Sequence, residues 1–297
     1  MSVTQRAGSW PAPAKLNLFL HITARRTDGY HELQTLFQLL DWGDELLISV
    51  NQSGQITRSC NTDAIPESDD ICLRAAQLLK TLCGVQAGAH IALKKRIPLG
   101  AGLGGGSSDA ATVLLALNKL WSCGLTRLQL AAIGLELGAD VPVFIHGYSA
   151  WAEGRGEELQ AVTLGQRNYV LVLPALSIST THVFHHPGLK RNSKPLDKTT
   201  SGLQPGRNDC ADVVLEMYPQ LNEIMQDLKT WGQPHMSGTG STLFLAFESK
   251  KSAISAATAL KCRYNVRAVS GVDRSPLLDR LSASATDLPR MGRGQVG

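Results

Sequence analysis

The residues whose type and spacing best suit a phosphate group lie between Pro98 and Ser108. This stretch reads Pro-Leu-Gly-Ala-Gly-Leu-Gly-Gly-Gly-Ser-Ser, with five glycines in seven positions. Glycine has no Cβ, so it adopts positive φ angles and lets a ligand approach the backbone closely. An apolar pattern at helical spacing follows, which predicts a helix with Ser107 or Ser108 as its N-cap. The free N–H groups and the dipole of that helix start favour an anion, and a polyphosphate suits the loop best.

The glycine loop does not match the more familiar nucleotide motifs. Its spacing satisfies the Rossmann pattern G-x-G-x-x-G, but no carboxylate lies between Asp109 and Glu136, where that motif expects an acidic residue. The sequence also lacks the Walker A lysine and the protein kinase motifs. A flexible Gly/Ser linker is the alternative, yet a linker does not usually join a strand to an amphipathic helix. We therefore predict a phosphate loop of another lineage.

A lysine and an asparagine near the N-terminus form a second polar feature. Apolar residues alternate with others over residues 16–22, which predicts a strand with one buried face. Lys15 and Asn17 are two positions apart, so both project to the opposite face. This cation and amide could line a cleft that holds an anionic transition state, or they could be two surface residues. Taken alone, the run favours neither interpretation.

Two further features also allow two interpretations each. Asp140 follows a glycine and precedes an apolar run, so it is either a cap for the next turn or a functional carboxylate. As a lone feature the cap is favoured. Tyr30 and His31 follow a turn signal at Asp28-Gly29, where they could stack on and hydrogen-bond a ring. Such a pair more often caps a core.

Composition excludes several classes of function. The 297 residues carry a net charge of only +4, without a dense basic run, so we expect no nucleic-acid partner. No apolar run reaches the roughly 18 residues of a membrane span, and we recognise no secretory signal, so we expect no membrane partner. Six scattered cysteines, none in a Cys-x-x-Cys pair, favour free thiols. These features predict a soluble, cytoplasmic protein.

The predicted elements that must position these residues fall into two groups. Before residue 154 we expect a loose leader at 1–10, and then strands at 16–22, 45–50, 55–58 and 90–95 and helices at 70–83, after the glycine loop, and from a capping box at Thr126 to residue 137. Beyond it we expect a smaller α+β layer with strands at 169–173, 243–247 and 265–270, a helical region after residue 208 and a helix at 252–260. The polar stretch 282–297 is predicted to be disordered.

Three motifs taken together resemble those of the GHMP small-molecule kinases. They are Pro13-Ala-Lys-Leu-Asn17, the run from Pro98 to Ala111, and Ser237-Gly-Thr-Gly240, in the order and spacing of that superfamily. The resemblance implies an α+β, two-domain GHMP kinase architecture. Its parts would be an N-terminal ribosomal-protein-S5-like nucleotide domain at 1–154 and a C-terminal ferredoxin-like α/β layer domain at 155–281, with the tail outside it.

Three shorter stretches are similar to one branch of that superfamily. They are Asp28-Gly-Tyr-His-Glu-Leu33, the run 138–144 and Asn208-Asp-Cys210. The branch phosphorylates a cytidine diphosphate sugar alcohol, cytidyl diphospho-methylerythritol, with ATP. Kinases of the mevalonate or homoserine type are the alternative, although their substrates have no base to stack. A nucleotide-sensing module without turnover is a third possibility, and a monomer or a weak homodimer is expected.

The resemblance also implies a role for each matching residue. Lys15 and Asp140 would be the catalytic pair, and the substrate would be bound by Asn17, Tyr30, His31, Thr181 and Phe184, with the two aromatic rings around the cytosine. The ATP phosphates would lie on Pro98, Leu99, Gly100, Ala101, Gly102, Leu103, Gly104, Gly105, Gly106, Ser107 and Ser108. The adenine pocket would be formed by Lys95, Leu99, Ile71 and Asp70, although Asp70 departs from the family pattern. Mg²⁺ would enter with ATP, with Ser107 or Ser108 as a weak ligand.

Overall fold

The computed structural model describes residues 7–198 and 203–283, and within these ranges it forms a mixed α/β fold. The strands are β1 (Ala7–Arg25), β2 (His31–Asn51), β3 (Ile56–Cys60), β4 (Gly88–Lys94), β5 (Ala150–Glu153), β6 (Glu158–Ala161), β7 (Arg167–Val172), β8 (Pro234–Met236), β9 (Leu243–Phe247) and β10 (Val266–Val272). The helices are α1 (Ile71–Cys83), α2 (Gly105–Leu120), α3 (Arg127–Leu137), α4 (Val141–His146), α5 (Thr180–His185), α6 (Ala211–Met217), α7 (Pro219–Leu228), α8 (Lys250–Leu260) and α9 (Pro276–Ser282). The predicted α+β class is confirmed.

Two long antiparallel strands, β1 and β2, form the main strand pair of the first half. Their register shifts between Pro13 and Lys15, where β1 bulges. Gly43 lies opposite Pro13, and a Cβ there would collide with the backbone of Ala12, so the close approach requires glycine. The predicted loose leader at 1–10 is wrong from residue 7 onwards, because Ala7 to Trp10 pair with β2 and the indole ring is buried.

Helices α1 to α4 cover the sheet in the first half and enclose its core. The buried apolar side chains of α2 contact those of α1, α3 and α4 and the inner faces of β1, β2 and β4. The helix from residue 127 begins as predicted, because Thr126 and Gln129 form a reciprocal capping box. Burial of this apolar face fixes the position of α2, whose first turn carries the last glycines of the loop.

The second half continues the same sheet instead of forming a separate one. The sheet runs in the order β3-β4-β2-β10-β7-β9-β8, and β10 meets β2 at Gly271–Leu40 and Val272–Leu39. Helices α6, α7 and α8 pack on its C-terminal part around a second apolar core. The predicted strand at 243–247 is confirmed as β9, whereas β5, β6, β8 and α9 have no counterpart among the predicted elements.

The stretch 282–297 was predicted to be disordered, but its first two residues are ordered. Ser282 ends α9, and Lys119 Nζ donates to the carbonyls of Leu281 at 2.5 Å and Ala283 at 2.8 Å. The rest of the predicted disordered tail, 284–297, lies outside the described residues. All six cysteines are free thiols. No helix in the described ranges is long and apolar enough to cross a membrane.

Candidate active site

A cavity of about 860 Å³ brings the predicted site residues together. Its walls come from β1, the start of β2, the glycine loop, the turn before α4 and helix α5. They include these predicted residues: Lys15, Asn17, Tyr30, His31, Ile71, Lys95, Pro98, Leu99, Gly100, Ala101, Gly102, Leu103, Gly104, Gly105, Gly106, Ser107, Asp140, Thr181 and Phe184. Segments as far apart in sequence as residues 15 and 184 thus share one site.

The glycine loop needs its glycines at three alternate positions. Gly100, Gly102 and Gly104 have φ angles of 63°, 73° and 70°, in the left-handed region that favours glycine. Gly104 is the N-cap of α2, so the predicted N-cap at Ser107 or Ser108 is wrong. The helix begins at Gly105, before both serines, because the chain already turns into it at Gly104. Its free N–H groups therefore belong to the glycine loop itself.

The third motif and the residues after it form hydrogen bonds to the glycine loop. Ser237 Oγ donates to the carbonyl of Gly102 at 2.9 Å and accepts from the backbone N–H of Asn17 at 3.1 Å. Thr242 N donates to Ala101 O at 3.1 Å. A Cβ on Gly102 would collide with the backbone of Ser237, so the two motifs lie in direct backbone contact. The third motif thus fixes the position of the glycine loop relative to β1.

A buried charge cluster holds the other end of the loop. Lys95 Nζ lies 2.6 Å from Asp44 Oδ2 and 2.7 Å from Asp109 Oδ2. Asp44 also accepts from the backbone N–H groups of Arg96 and Ile97, just before the glycines. Burial, partly offset by Lys95, raises the pKa of Asp109 to about 8. The Lys95 ammonium is therefore engaged with the side chains of Asp44 and Asp109 at the edge of the cavity.

Lys15 and Asp140 form an ion pair in the cavity wall. Lys15 Nζ lies 3.1 Å from Asp140 Oδ2, and the lysine side chain is only 3% exposed against 33% for the aspartate. The ammonium also donates to Asn17 Oδ1 at 2.5 Å and to Gly102 O at 3.3 Å. Asp140 stands at the start of α4 but makes no side-chain capping hydrogen bond. The carboxylate is therefore held by Lys15 and faces the cavity, which removes the reason for interpreting it as a cap.

Aromatic and imidazole rings line another part of the cavity, which we call its aromatic end. The His31 and Phe184 rings lie 5.2 Å apart between centroids and are tilted by 35°. Tyr30 is 56% exposed, and the Arg155 guanidinium lies 4.8 Å from the centre of its ring. The segments carrying Tyr30 and Phe184 are far apart in sequence, and only the fold brings them to one cavity. A flat ring that enters the cavity could stack on this exposed aromatic surface.

Two predicted residues do not line the cavity. The Asp70 carboxylate caps α1 by accepting from the N–H groups of Cys72 and Leu73, and it pairs with Arg58. Because both interactions lie inside the protein, Asp70 positions α1 and its neighbour Ile71, which does reach the cavity. Ser108 is fully buried beneath the loop, and its hydroxyl finds no partner among the described residues.

Sequence reasoning missed several residues of the cavity wall. Arg155, Gly156, Gly238, Thr239 and Thr180 all line it. Arg155 stands between two glycines, Gly154 and Gly156, both with positive φ, which is the one local signal that could have indicated a functional turn. Gly238 and Thr239 belong to the third motif recognised in the sequence, but we predicted no binding role for them. Thr180 lies beside the predicted Thr181 and could be assigned only from the fold.

The glycine loop, the ion pair and the fold fit the class of the GHMP kinases. Residues 70–148 match the family described as GHMP kinases N terminal domain. A crystal structure titled as mevalonate kinase covers 90% of this chain and 99% of its own at a TM-score of 0.67, and at 12% identity it shows the fold alone.

More similar relatives narrow the class. A curated protein of Shewanella sp. (strain ANA-3) named 4-diphosphocytidyl-2-C-methyl-D-erythritol kinase is 48% identical over 92% of this chain and 97% of its own length. A protein of the same name from Alkalilimnicola ehrlichii is 47% identical over 95% of this chain and 97% of its own. A crystal structure titled 4-(cytidine 5'-diphospho)-2C-methyl-D-erythritol kinase matches at a TM-score of 0.77 and 35% identity, over 89% of this chain and 98% of its own. The chain belongs to the 4-diphosphocytidyl-2-C-methyl-D-erythritol kinase family.

Proposed function

We propose that the protein transfers the γ-phosphoryl group of ATP to the 2-hydroxyl of 4-diphosphocytidyl-2-C-methyl-D-erythritol, in the methylerythritol phosphate pathway to isoprenoid precursors. One observation carries the proposal: a single cavity contains a phosphate loop, a lysine–aspartate pair and an aromatic end. The names of the relatives support the same substrate. A cytoplasmic location and a monomeric or weakly dimeric state stay predictions from the sequence.

The glycine loop and the start of α2 would hold the ATP phosphates. Their backbone N–H groups and the helix dipole favour negative charge, and Gly106 leaves open space for it, because a Cβ there would meet only Ile71 at 3.8 Å. Ile71 and Leu99 would border the adenine. Lys95 would add positive charge at this end, although its ammonium is shared with Asp44 and Asp109.

Mg²⁺ fits this site only as a companion of ATP. Within the described ranges no group of three or more His, Cys, Asp or Glu side chains could hold a metal ion. The hydroxyl of Ser107 lies at the cavity wall and is available as a donor, whereas Ser108 is fully buried and does not line the cavity. Ser107 would complete a coordination shell made mainly of phosphate and water. When bound, the ion would neutralise charge on the transferring phosphoryl group.

Asp140 and Lys15 would carry the chemical step. Asp140 Oδ2 is held by Lys15, which leaves the other carboxylate oxygen to accept the proton of the substrate hydroxyl. The Lys15 ammonium, 3.3 Å from Gly102 O, lies beside the loop and would offset the charge that develops there. Asn17 fixes the ammonium and so its distance from the carboxylate. Phosphoryl transfer asks mainly for this positioning and charge stabilisation.

The aromatic end would select the cytidyl group. Tyr30 and Phe184 would stack on the two faces of the cytosine, and His31 would hydrogen-bond to its edge. Stacking tolerates any base, so the hydrogen bonds must supply the selectivity. Thr181, which also lines the cavity, would contact the remainder of the substrate. Mevalonate and homoserine have no ring to fill this end.

A coupled assay of ADP release tests the proposal. The purified protein is compared on 4-diphosphocytidyl-2-C-methyl-D-erythritol, mevalonate and homoserine at equal ATP and Mg²⁺. We expect turnover of the cytidyl substrate, with kcat/KM at least about 100-fold above that for the other two, since they lack the stacked ring. Preferred turnover of mevalonate or homoserine would replace the proposal with the corresponding kinase. ATP binding without turnover of any substrate would support a nucleotide sensor.

A further inference from the structure

An arginine outside the cavity wall contacts the histidine that lines it. Arg191 Nε donates to His31 Nε2 at 3.0 Å. The same guanidinium is anchored by carbonyls on both sides of this contact: Nη1 donates to Leu189 O at 2.9 Å, and Nη2 donates to Phe184 O at 3.0 Å and His186 O at 2.9 Å. The arginine therefore has a fixed orientation, and its bond to the imidazole is part of the turn that follows α5.

This contact determines which imidazole nitrogen carries the proton. A guanidinium has five N–H donors and no acceptor, so His31 Nε2 must accept and cannot itself be protonated. In a neutral imidazole the proton then resides on Nδ1. Burial lowers the pKa of His31, and the charges of Arg191, Arg25 and His185 lower it further, so the neutral ring is favoured. Among the described residues, Nδ1 has no hydrogen-bond partner.

We propose that Arg191 is a positioning residue for base recognition: it fixes His31 as the Nδ1–H tautomer, so that the cavity offers a donor to an acceptor on a pyrimidine edge. The inference deepens the proposed function and rests on it. Cytosine carries acceptors at its ring N3 and its carbonyl oxygen, and uracil carries a donor at N3. A fixed donor at His31 that contacts N3 therefore favours cytosine over uracil. Without Arg191 the ring is free to adopt the other tautomer, which would present an acceptor.

Nitrogen NMR of the unmodified protein is the first test, and it needs no substrate. In protein labelled with ¹⁵N on histidine, His31 is expected to show a protonated Nδ1 and an unprotonated Nε2 at neutral pH. The His31→Gln variant assigns the signals. Arg191→Met is expected to shift the two signals towards the opposite tautomer or an average of both. An Nε2–H tautomer in the unmodified protein overturns the proposal, whatever the variants do.

A double-mutant cycle separates this role from a merely structural one, since Arg191 also anchors the segment that carries Phe184. Calorimetric Kd values for CDP are measured for the unmodified protein, Arg191→Met, His31→Ala and the double variant. Loss of one hydrogen bond predicts a Kd for CDP about 2–12 times higher in Arg191→Met. In the His31→Ala background the same change is expected to alter Kd less than about twofold. An equal effect in both backgrounds overturns the proposal, because Arg191 would then act without His31.

Three controls complete the test. Arg25→Met removes a neighbouring charge but no bond to His31, and it is expected to leave the tautomer unchanged. Arg191→Lys keeps the charge and a donor without an acceptor, so a lysine that reaches Nε2 is expected to restore the tautomer and the CDP affinity together. A full return of the CDP affinity without the Nδ1–H tautomer would assign the effect to charge and contradict the positioning role. The ratio of Kd values for UDP and CDP is expected to fall in Arg191→Met. If the proposed kinase activity failed while the NMR and CDP results held, the proposed function alone would be lost.

Discussion

The two ends of the cavity are built in different ways. The end with the glycine loop, which we call the phosphate end because we propose that ATP binds there, is held by backbone contacts and buried charges. Ser237 binds the carbonyl of Gly102, and Asp44 binds two N–H groups just before the glycines. The aromatic end, which we call the base end because we propose that cytosine binds there, is held by side chains from separate elements. Tyr30 lies half exposed before β2, His31 begins β2 and is held by Arg191, and Phe184 lies in α5. This difference indicates that the phosphate end is preformed, whereas the base end depends on a few side-chain contacts. Substitutions should therefore affect the two ends separately.

The largest effect is expected where the two ends meet, at the carboxylate. Asp140→Asn should lower kcat by about 10²–10⁴, because an amide cannot accept the hydroxyl proton. KM for both substrates should change little. The melting temperature should fall only slightly, because the amide oxygen can still accept a hydrogen bond from the buried Lys15 although the ion pair is lost. The exposed surface variant Asp212→Asn is the control, with kcat within about twofold of the unmodified protein. Steady-state kinetics decides this, and a kcat above half of the original would contradict the assigned role.

The next effect should be confined to the phosphate end. Gly106→Val fits the protein itself, because a Cβ there meets only Ile71 at 3.8 Å, but it would fill the space expected for a phosphate. Loss of one charge-assisted hydrogen bond predicts a KM for ATP about 10–150 times higher. Calorimetry with CDP should show an unchanged Kd. Gly105 is a poorer choice, because a Cβ there would lie 2.9 Å from Lys95 Nζ and disturb the charge cluster. Equal weakening of both ligands would indicate misfolding.

At the base end we expect an increase in KM of similar size, but for the cytidyl substrate instead of ATP. Phe184→Ala and Tyr30→Ala should each raise KM for the cytidyl substrate by roughly 5–150-fold, since stacking on one face of a base is worth about 1–3 kcal/mol. KM for ATP should hardly move. Kinetics with each substrate varied in turn measures both values. An unchanged KM for the cytidyl substrate in both variants would place the base elsewhere.

The smallest effect separates the ring of Tyr30 from its hydroxyl. Tyr30→Phe keeps the aromatic face and its contact with Arg155, so KM for the cytidyl substrate should stay within about twofold of the original. Tyr30→Ala in the same series provides the comparison. A loss in the phenylalanine variant as large as in the alanine variant would assign the binding to the hydroxyl and not to stacking.

The difference between the two ends of the cavity also explains what the sequence could predict. The glycine loop could be recognised from the sequence because the positive φ angles of Gly100, Gly102 and Gly104 favour glycine. Its N-cap was predicted wrongly because the local preference for a serine cap ignores that Gly104 already turns the chain. The strand at Ala7–Trp10 was missed because Gly8 and Ser9, with Pro11 after them, suggest a loop, and only pairing with β2 makes them extended.

The base end was predictable only through the resemblance to a known family. Nothing local in the sequence connects Tyr30 with Phe184, and Arg191 lies in a stretch that we interpreted only as polar. Its role follows from four hydrogen bonds to residues on two segments, which no pattern of spacing reveals. The contact between Lys15 and Asp140 likewise could not be derived from their spacing, because it is the fold that brings β1 next to the start of α4.

Measuring both KM values for Gly106→Val and Phe184→Ala side by side tests most directly whether the cavity joins an ATP end to a cytidyl end. We predict a crossed result: the glycine variant raises KM for ATP by at least about tenfold and leaves KM for the cytidyl substrate within about twofold, and the phenylalanine variant does the reverse. If each variant raised both KM values by the same factor, or if the two effects were exchanged, the division of the cavity into these two ends would be contradicted.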